Sequence, residues 1–335
     1  MIQQNTLPMP KLLLPLLLAG CLTATPALAA LREAFVDPVQ TGDGIRPLLE
    51  LPGASQRDLR HFVAIDDDRR NGFLYVHLAG SGGLPENSLE IIREAASQGY
   101  HAVSLAYPNW PSVTDLTIAG GDLAAPGLVR AERLYGEDTS PLVNVDQPNS
   151  VVNRLVRLLL TLQDAHPDEH WGRFLQQSQP DWSHIVVGGH SQGAGHAAYL
   201  AQDHALAGAL LFGGPGDFVT GLGVAEWVQR PLQIEARGVY GFVHQQDPNY
   251  PLFQLTQGIL GLGQGGPTQN VDLAAPSQWQ ANRLDSSRTD IPEANFHGAV
   301  VVDASLPTDA DGSIGYAPVW QYLLGVALFA DGAEP

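Results

Sequence analysis

Gly189-His190-Ser191-Gln192-Gly193 sets a serine between two glycines, directly after the apolar run Ile185-Val186-Val187 and directly before a small-residue segment of helical character at 192–202. A serine on so sharp a strand-to-helix turn is lifted clear of its neighbours, and the flanking glycines let strand and helix approach closely enough to leave the hydroxyl exposed. The helix start behind it offers free backbone N–H groups and the positive end of a dipole to a developing oxyanion. The chemistry this favours is nucleophilic attack. Serine is a weak nucleophile near neutrality, so a histidine must take its proton and an acid must hold that histidine in the right tautomer.

Four histidines follow the serine: His196, His204, His244 and His297. The first two ride on the segment immediately after it and cannot turn back to it. His244 precedes the best-placed acid, against the order nucleophile, acid, histidine. His297 remains, in the loop Ala294-Asn295-Phe296-His297-Gly298 before an apolar run at 300–303. For the acid, Asp247 follows the expected strand 239–243 and precedes Pro248, at a strand's C-terminal end, where ligands collect in open α/β sheets. Asp217, ending Gly213-Gly214-Pro215-Gly216-Asp217 after the preceding strand, is the alternative acid. An oxyanion needs two amide donors, one from Gln192 and one from the glycine-rich stretch His77-Leu78-Ala79-Gly80-Ser81-Gly82-Gly83, at the backbone of Gly80 or Ser81. Such a loop also cradles phosphate in other settings, but no Gly-Lys-Ser/Thr follows it here.

Alternating strands and helices must position these groups. Apolar runs at 61–66 and 73–78, separated by the turn cluster 67–72, predict adjacent antiparallel strands. Helical spacing of Leu89, Ile92 and Ala96 predicts a helix over 86–98, stopped by Gly99, and a strand over 101–106 follows. Val151, Val152, Leu155, Leu158, Leu159 and Leu162 share one side of a helix over 150–164. Strands over 185–187, 206–212 and 239–243 and a helix over 319–329 complete an alternation that calls for a parallel sheet covered by helices. Two tracts, about 108–148 and 248–290, carry no sustained period through most of their length and read as insertions near the site. Tyr107, Trp110 and Tyr250 stand near expected strand ends without an assigned role. Asp309-Ala310-Asp311-Gly312-Ser313 lacks the glutamate of a calcium-binding loop and reads as a turn.

With 44% hydrophobic and 16% charged residues, 36 Gly and 25 Pro, the composition is that of a folded, loop-rich protein. Its net charge of −18 leaves no basic face for nucleic acid or an anionic membrane. Residues 1–30 read as an export segment: Lys11, an apolar run at 12–18, then small residues. Two processing patterns coexist there, the small-x-small Ala27-Leu28-Ala29 and the lipobox Leu18-Ala19-Gly20-Cys21 with its lipid-anchored cysteine. The apolar stretch is shorter than the roughly 20 residues that span a bilayer. Cys21 is the single cysteine, so the mature chain of 31–335 forms no internal disulfide and offers no thiol nucleophile. These features suit a bacterial periplasmic, extracellular or outer-membrane lipid-anchored protein.

The elbow around Ser191, the early glycine loop and the acid-then-histidine order together resemble the α/β-hydrolase superfamily, over roughly residues 60–330. The resemblance implies a mostly parallel central sheet with helices on both faces, hydrolysis of a small-molecule, lipid or polymer carboxylic ester through an acyl-enzyme, and neither metal nor organic cofactor. The long separation of Asp247 from His297 departs from the pattern and leaves the acid open between Asp247 and Asp217. The same elbow would also serve an acyltransferase or a peptidase, or survive in an inactive binding protein.

Overall fold

The computed structural model describes residues 31–47, 59–235 and 238–327; the expected export segment, with Cys21, lies outside them. Its first strand, β1 (Arg32–Val36), is a largely exposed edge. In contrast β2 (His61–Ile65), β3 (Leu74–Leu78), β4 (His101–Leu105), β5 (Ile185–His190) and β6 (Gly208–Phe212) are buried at every position, as strands covered on both faces must be. With β7 (Val239–His244), β8 (Gln269–Asn270) and β9 (Arg283–Ser286) they form one nine-stranded sheet in the order β1-β2-β4-β3-β5-β6-β7-β9-β8. Only β1–β2 and β2–β4 pair antiparallel. The parallel register sets Leu78 of β3 level with Leu105 of β4 and Gly189 of β5, so their C-terminal ends share one edge. This strand order and helix cover make the α/β-hydrolase fold.

The pleat divides each strand's side chains between two cores. Val63, Ile65, Val76, Ile185 and Val187 face one side, under helices α4 (Val151–Ala165) and α5 (Gln192–Asp203). Phe62, Ala64, Tyr75 and Val186 face the other, under α1 (Leu89–Ser97) and α7 (Ala317–Ala327). Helix α4 begins where the Ser150 hydroxyl accepts the Asn153 N–H, and it buries Leu155, Leu158, Leu159 and Leu162. Each such side chain contributes about 1.5–3 kcal/mol relative to exposure.

Several sequence expectations are corrected. The strands at 61–65 and 74–78 are not adjacent: β4 lies between them, reached through the α1 crossover, and β3 is saturated by parallel partners on both sides. The tract 108–148 contains α2 (Val113–Thr117) and α3 (Ala125–Tyr135). Helix α3 escapes a periodicity search because its buried face carries Arg130, Glu132 and Arg133, held by hydrogen bonds in place of apolar contact. The tract 248–290 contains α6 (Tyr250–Ile259) and strands β8 and β9, and the apolar run at 300–303 is a turn with Val300 and Val301 buried that leads into a short 3-10 helix. Among the described residues no helix is long and apolar enough to cross a membrane.

His61, His77, His101, His190 and His196 are buried in this scaffold. Burial holds His61, His77 and His190 down to about 3 and His101 to about 4, with His196 well below its usual range. In the unfolded chain each titrates at 6.5. The folded state therefore binds fewer protons than the unfolded one below that pH, so stability is full above 6.5 and falls as pH drops, by up to about 1.4 kcal/mol per pH unit per histidine. Urea unfolding measured from neutrality downward should show stability falling steeply below about pH 6, with unfolding coupled to net proton uptake. A flat profile between pH 6.5 and 5 would contradict the buried, neutral state of these rings.

Candidate active site

Ser191 sits between β5 and α5 with φ 54° and ψ −112°, a conformation that non-glycine residues rarely hold. Close approach fixes it there. A Cβ on Gly193 would lie 1.9 Å from the Leu78 carbonyl oxygen, and one on Gly189 would lie 2.3 Å from the Gly193 carbonyl carbon. The Ser191 N–H donates to the Phe212 carbonyl of β6 (2.8 Å), tying the turn to the neighbouring strand.

His297 lies in the loop after β9, and its Nδ1 is 2.5 Å from Asp247 Oδ2, across a separation of 50 residues. Asp247 follows β7 and is buried; its Oδ1 accepts the Asn249 N–H (2.8 Å). A carboxylate only accepts, so Nδ1 carries the proton of this bond, which leaves Nε2 as the ring's other nitrogen. Phe253 of α6 stacks on the His297 ring at 5.9 Å. Ser191 and His297 line the same two cavities, although no hydrogen bond joins them among the described residues. Such bonds are often long before substrate tightens the site.

Asp217 is engaged elsewhere. Its Oδ1 accepts Arg130 Nη2 (2.6 Å), while its Oδ2 accepts Arg130 Nε (2.6 Å) and Trp227 Nε1 (2.6 Å). Both members of this ion pair are almost completely buried. The structure thus brings His297 to Asp247 and spends Asp217 on Arg130.

The glycine loop after β3 lies directly on the elbow: a Cβ on Gly80 would sit 3.3 Å from Ser191 Cβ. Ser81 lines both cavities. The loop is pinned by residues the sequence did not single out for it. Asn109 Nδ2 donates to the carbonyls of Gly80 (2.9 Å) and Gly83 (2.7 Å), and the Tyr107 hydroxyl donates to that of Ala79 (2.5 Å). Gln192, at the start of α5 where backbone N–H groups lack intrahelical partners, uses its side chain as a brace. Its Nε2 donates to the Asn109 carbonyl (3.0 Å), and its Oε1 accepts the Val113 N–H (2.8 Å) and Arg133 Nη1 (2.8 Å).

His190, the other side chain inside the pentapeptide, donates Nε2–H to the His297 carbonyl (2.9 Å), joining the nucleophile turn to the histidine loop. Burial pushes it down to about 3, so it remains neutral in this role. The position beside the serine was its only sequence signal. Trp110 and Tyr250 do not line these cavities; the Tyr250 hydroxyl donates to Asp285 (2.6 Å). At 309–313, Gly312 N–H closes a turn onto the Asp309 carbonyl, and the Asp309 carboxylate pairs with Arg288 (2.8 Å).

No protein-family model matches the sequence, and no curated protein matches it. Among solved structures the chain is similar to a hyperthermophilic esterase from the archaeon Pyrobaculum calidifontis, at 13% identity and a TM-score of 0.45 over 92% of this chain and 88% of that one. It is also similar to esterase B from Lactobacillus rhamnosis, at 15% identity and a TM-score of 0.38 over 69% of this chain and 72% of that one. Similarity this slight transfers no residue's role.

Proposed function

We propose that this protein is a serine hydrolase of carboxylic esters, with Ser191 as nucleophile, His297 as general base and acid, and Asp247 as the group that orients and charge-balances the imidazole. The observation that carries the reading is the Asp247–His297 bond at 2.5 Å on a ring that shares its cavities with a serine at φ 54°. His297 Nε2 takes the Ser191 proton as Oγ attacks the ester carbonyl. The backbone N–H groups of Gln192 and of Gly80 or Ser81 hold the oxyanion. Collapse of the tetrahedral intermediate expels the alkoxide, which takes the proton from the imidazolium, and water repeats the cycle on the acyl-enzyme. No step calls on a metal or organic cofactor. Within this proposal the enzyme works outside the cytoplasm, which the export-like pattern of 1–30 supports.

Stopped-flow hydrolysis of p-nitrophenyl acetate tests the reading. A burst of p-nitrophenolate approaching one equivalent per chain, followed by slower turnover, is expected if acylation outruns deacylation. Absence of any p-nitrophenolate release above the buffer rate, across simple esters, would overturn it.

A further inference from the structure

The two cavities beside Ser191 differ in size and chemistry. The smaller, about 110 Å³, is walled by Val113, Phe253 and the Arg130–Asp217 pair, with Ser81, Thr114 and Asn249 among its polar lining. The larger, about 340 Å³, runs past Gly80, Asn87, Ser88, His190 and Val302. Taking Ser191 as the acylated residue, as proposed above, we infer that the smaller cavity is the acyl site, and that it selects short acyl chains of about two to four carbons bearing a neutral hydrogen-bonding group such as a hydroxyl.

Three observations lead there. In a two-step mechanism the alcohol must depart and water must arrive at His297 while the acyl group stays on Ser191, so the roomier cavity serves the exchanging partner and the confined one the retained group. A cavity of about 150 Å³ just accommodates benzene, so one of about 110 Å³ holds roughly four heavy atoms. The lining then sets polarity. Among the described residues no hydrogen bond engages the Ser81 or Thr114 hydroxyl or the Asn249 side-chain amide, so three polar heads around the cavity stand ready for a substrate group. A purely aliphatic chain would strip water from them without replacing it, which is costly.

Among the described residues that line the cavity, a carboxylate on the acyl chain finds no free guanidinium or ammonium. Arg130 Nε and Nη2 are bonded to Asp217, and its Nη1 donates to the Gln192 carbonyl (2.9 Å). The selected substituent is therefore neutral.

A panel of p-nitrophenyl esters on the intact protein tests this. The values of kcat/KM for the butyrate and 3-hydroxybutyrate esters should exceed that for the octanoate by at least about 100-fold, with 3-hydroxybutyrate at or above butyrate. Thr114→Val, which keeps the shape and removes the hydroxyl, should lower the 3-hydroxybutyrate-to-butyrate ratio by about tenfold. Octanoate turned over as well as butyrate, or a ratio unmoved by Thr114→Val, would overturn the inference while leaving the hydrolase reading in place. Failure to turn over any ester would overturn both.

Discussion

Ser191→Ala should lower kcat/KM for p-nitrophenyl acetate by about 10⁴-fold or more, with thermal stability essentially unchanged. The loss is large because everything around the hydroxyl is arranged for it alone. The turn strains the backbone to present it, and Asp247 holds the His297 ring that shares its cavities. A second substitution separates chemistry from strain. Ser191→Gly should be as inactive as the alanine variant yet more stable than the parent by about 1 kcal/mol, because φ 54° with ψ −112° suits glycine and costs any other residue. Steady-state kinetics and thermal unfolding of both variants check the pair of outcomes. Activity within tenfold of the parent in either variant would remove Ser191 from the mechanism.

The two acids should fail in opposite ways. Asp247→Asn keeps the shape of the contact but removes the charge that favours Nδ1–H, and kcat should fall by about 10⁴-fold with the fold intact. Asp217→Ala instead leaves the buried Arg130 guanidinium without its partner, and stability should fall by about 3–5 kcal/mol. Urea unfolding and kcat, measured on both proteins, separate a catalytic acid from a structural one. If Asp217→Ala lost its activity at unchanged stability while Asp247→Asn kept it, the assignment of the two carboxylates would have to be exchanged.

Much of this is legible in the sequence. The strands that build the sheet centre announce themselves because burial on both faces demands uninterrupted apolar runs, and the elbow does so because its glycines answer a steric demand of 1.9–2.3 Å. What was hidden shares a different physical basis. Helix α3 buries charge, so its inward face looks polar in sequence, although Arg130, Glu132 and Arg133 are as buried as any leucine. Strand β9 reads Arg-Leu-Asp-Ser and buries Asp285 and Ser286 through hydrogen bonds, which conceals it from an apolar search. The expected pairing of the runs at 61–66 and 73–78 failed because proximity in sequence says nothing about a crossover that slips β4 between them. Asn109 and Gln192 brace the glycine loop after β3 through backbone carbonyls that only the folded chain brings within reach.

Reaction with a fluorophosphonate, followed by peptide mass spectrometry, tests most directly whether the Asp247–His297 pair activates Ser191. One adduct per chain, on the peptide containing Ser191, is the expected result, with the labelling rate reduced by about 100-fold or more in His297→Ala. An adduct on another serine, or labelling of Ser191 at the same rate in His297→Ala, would contradict it.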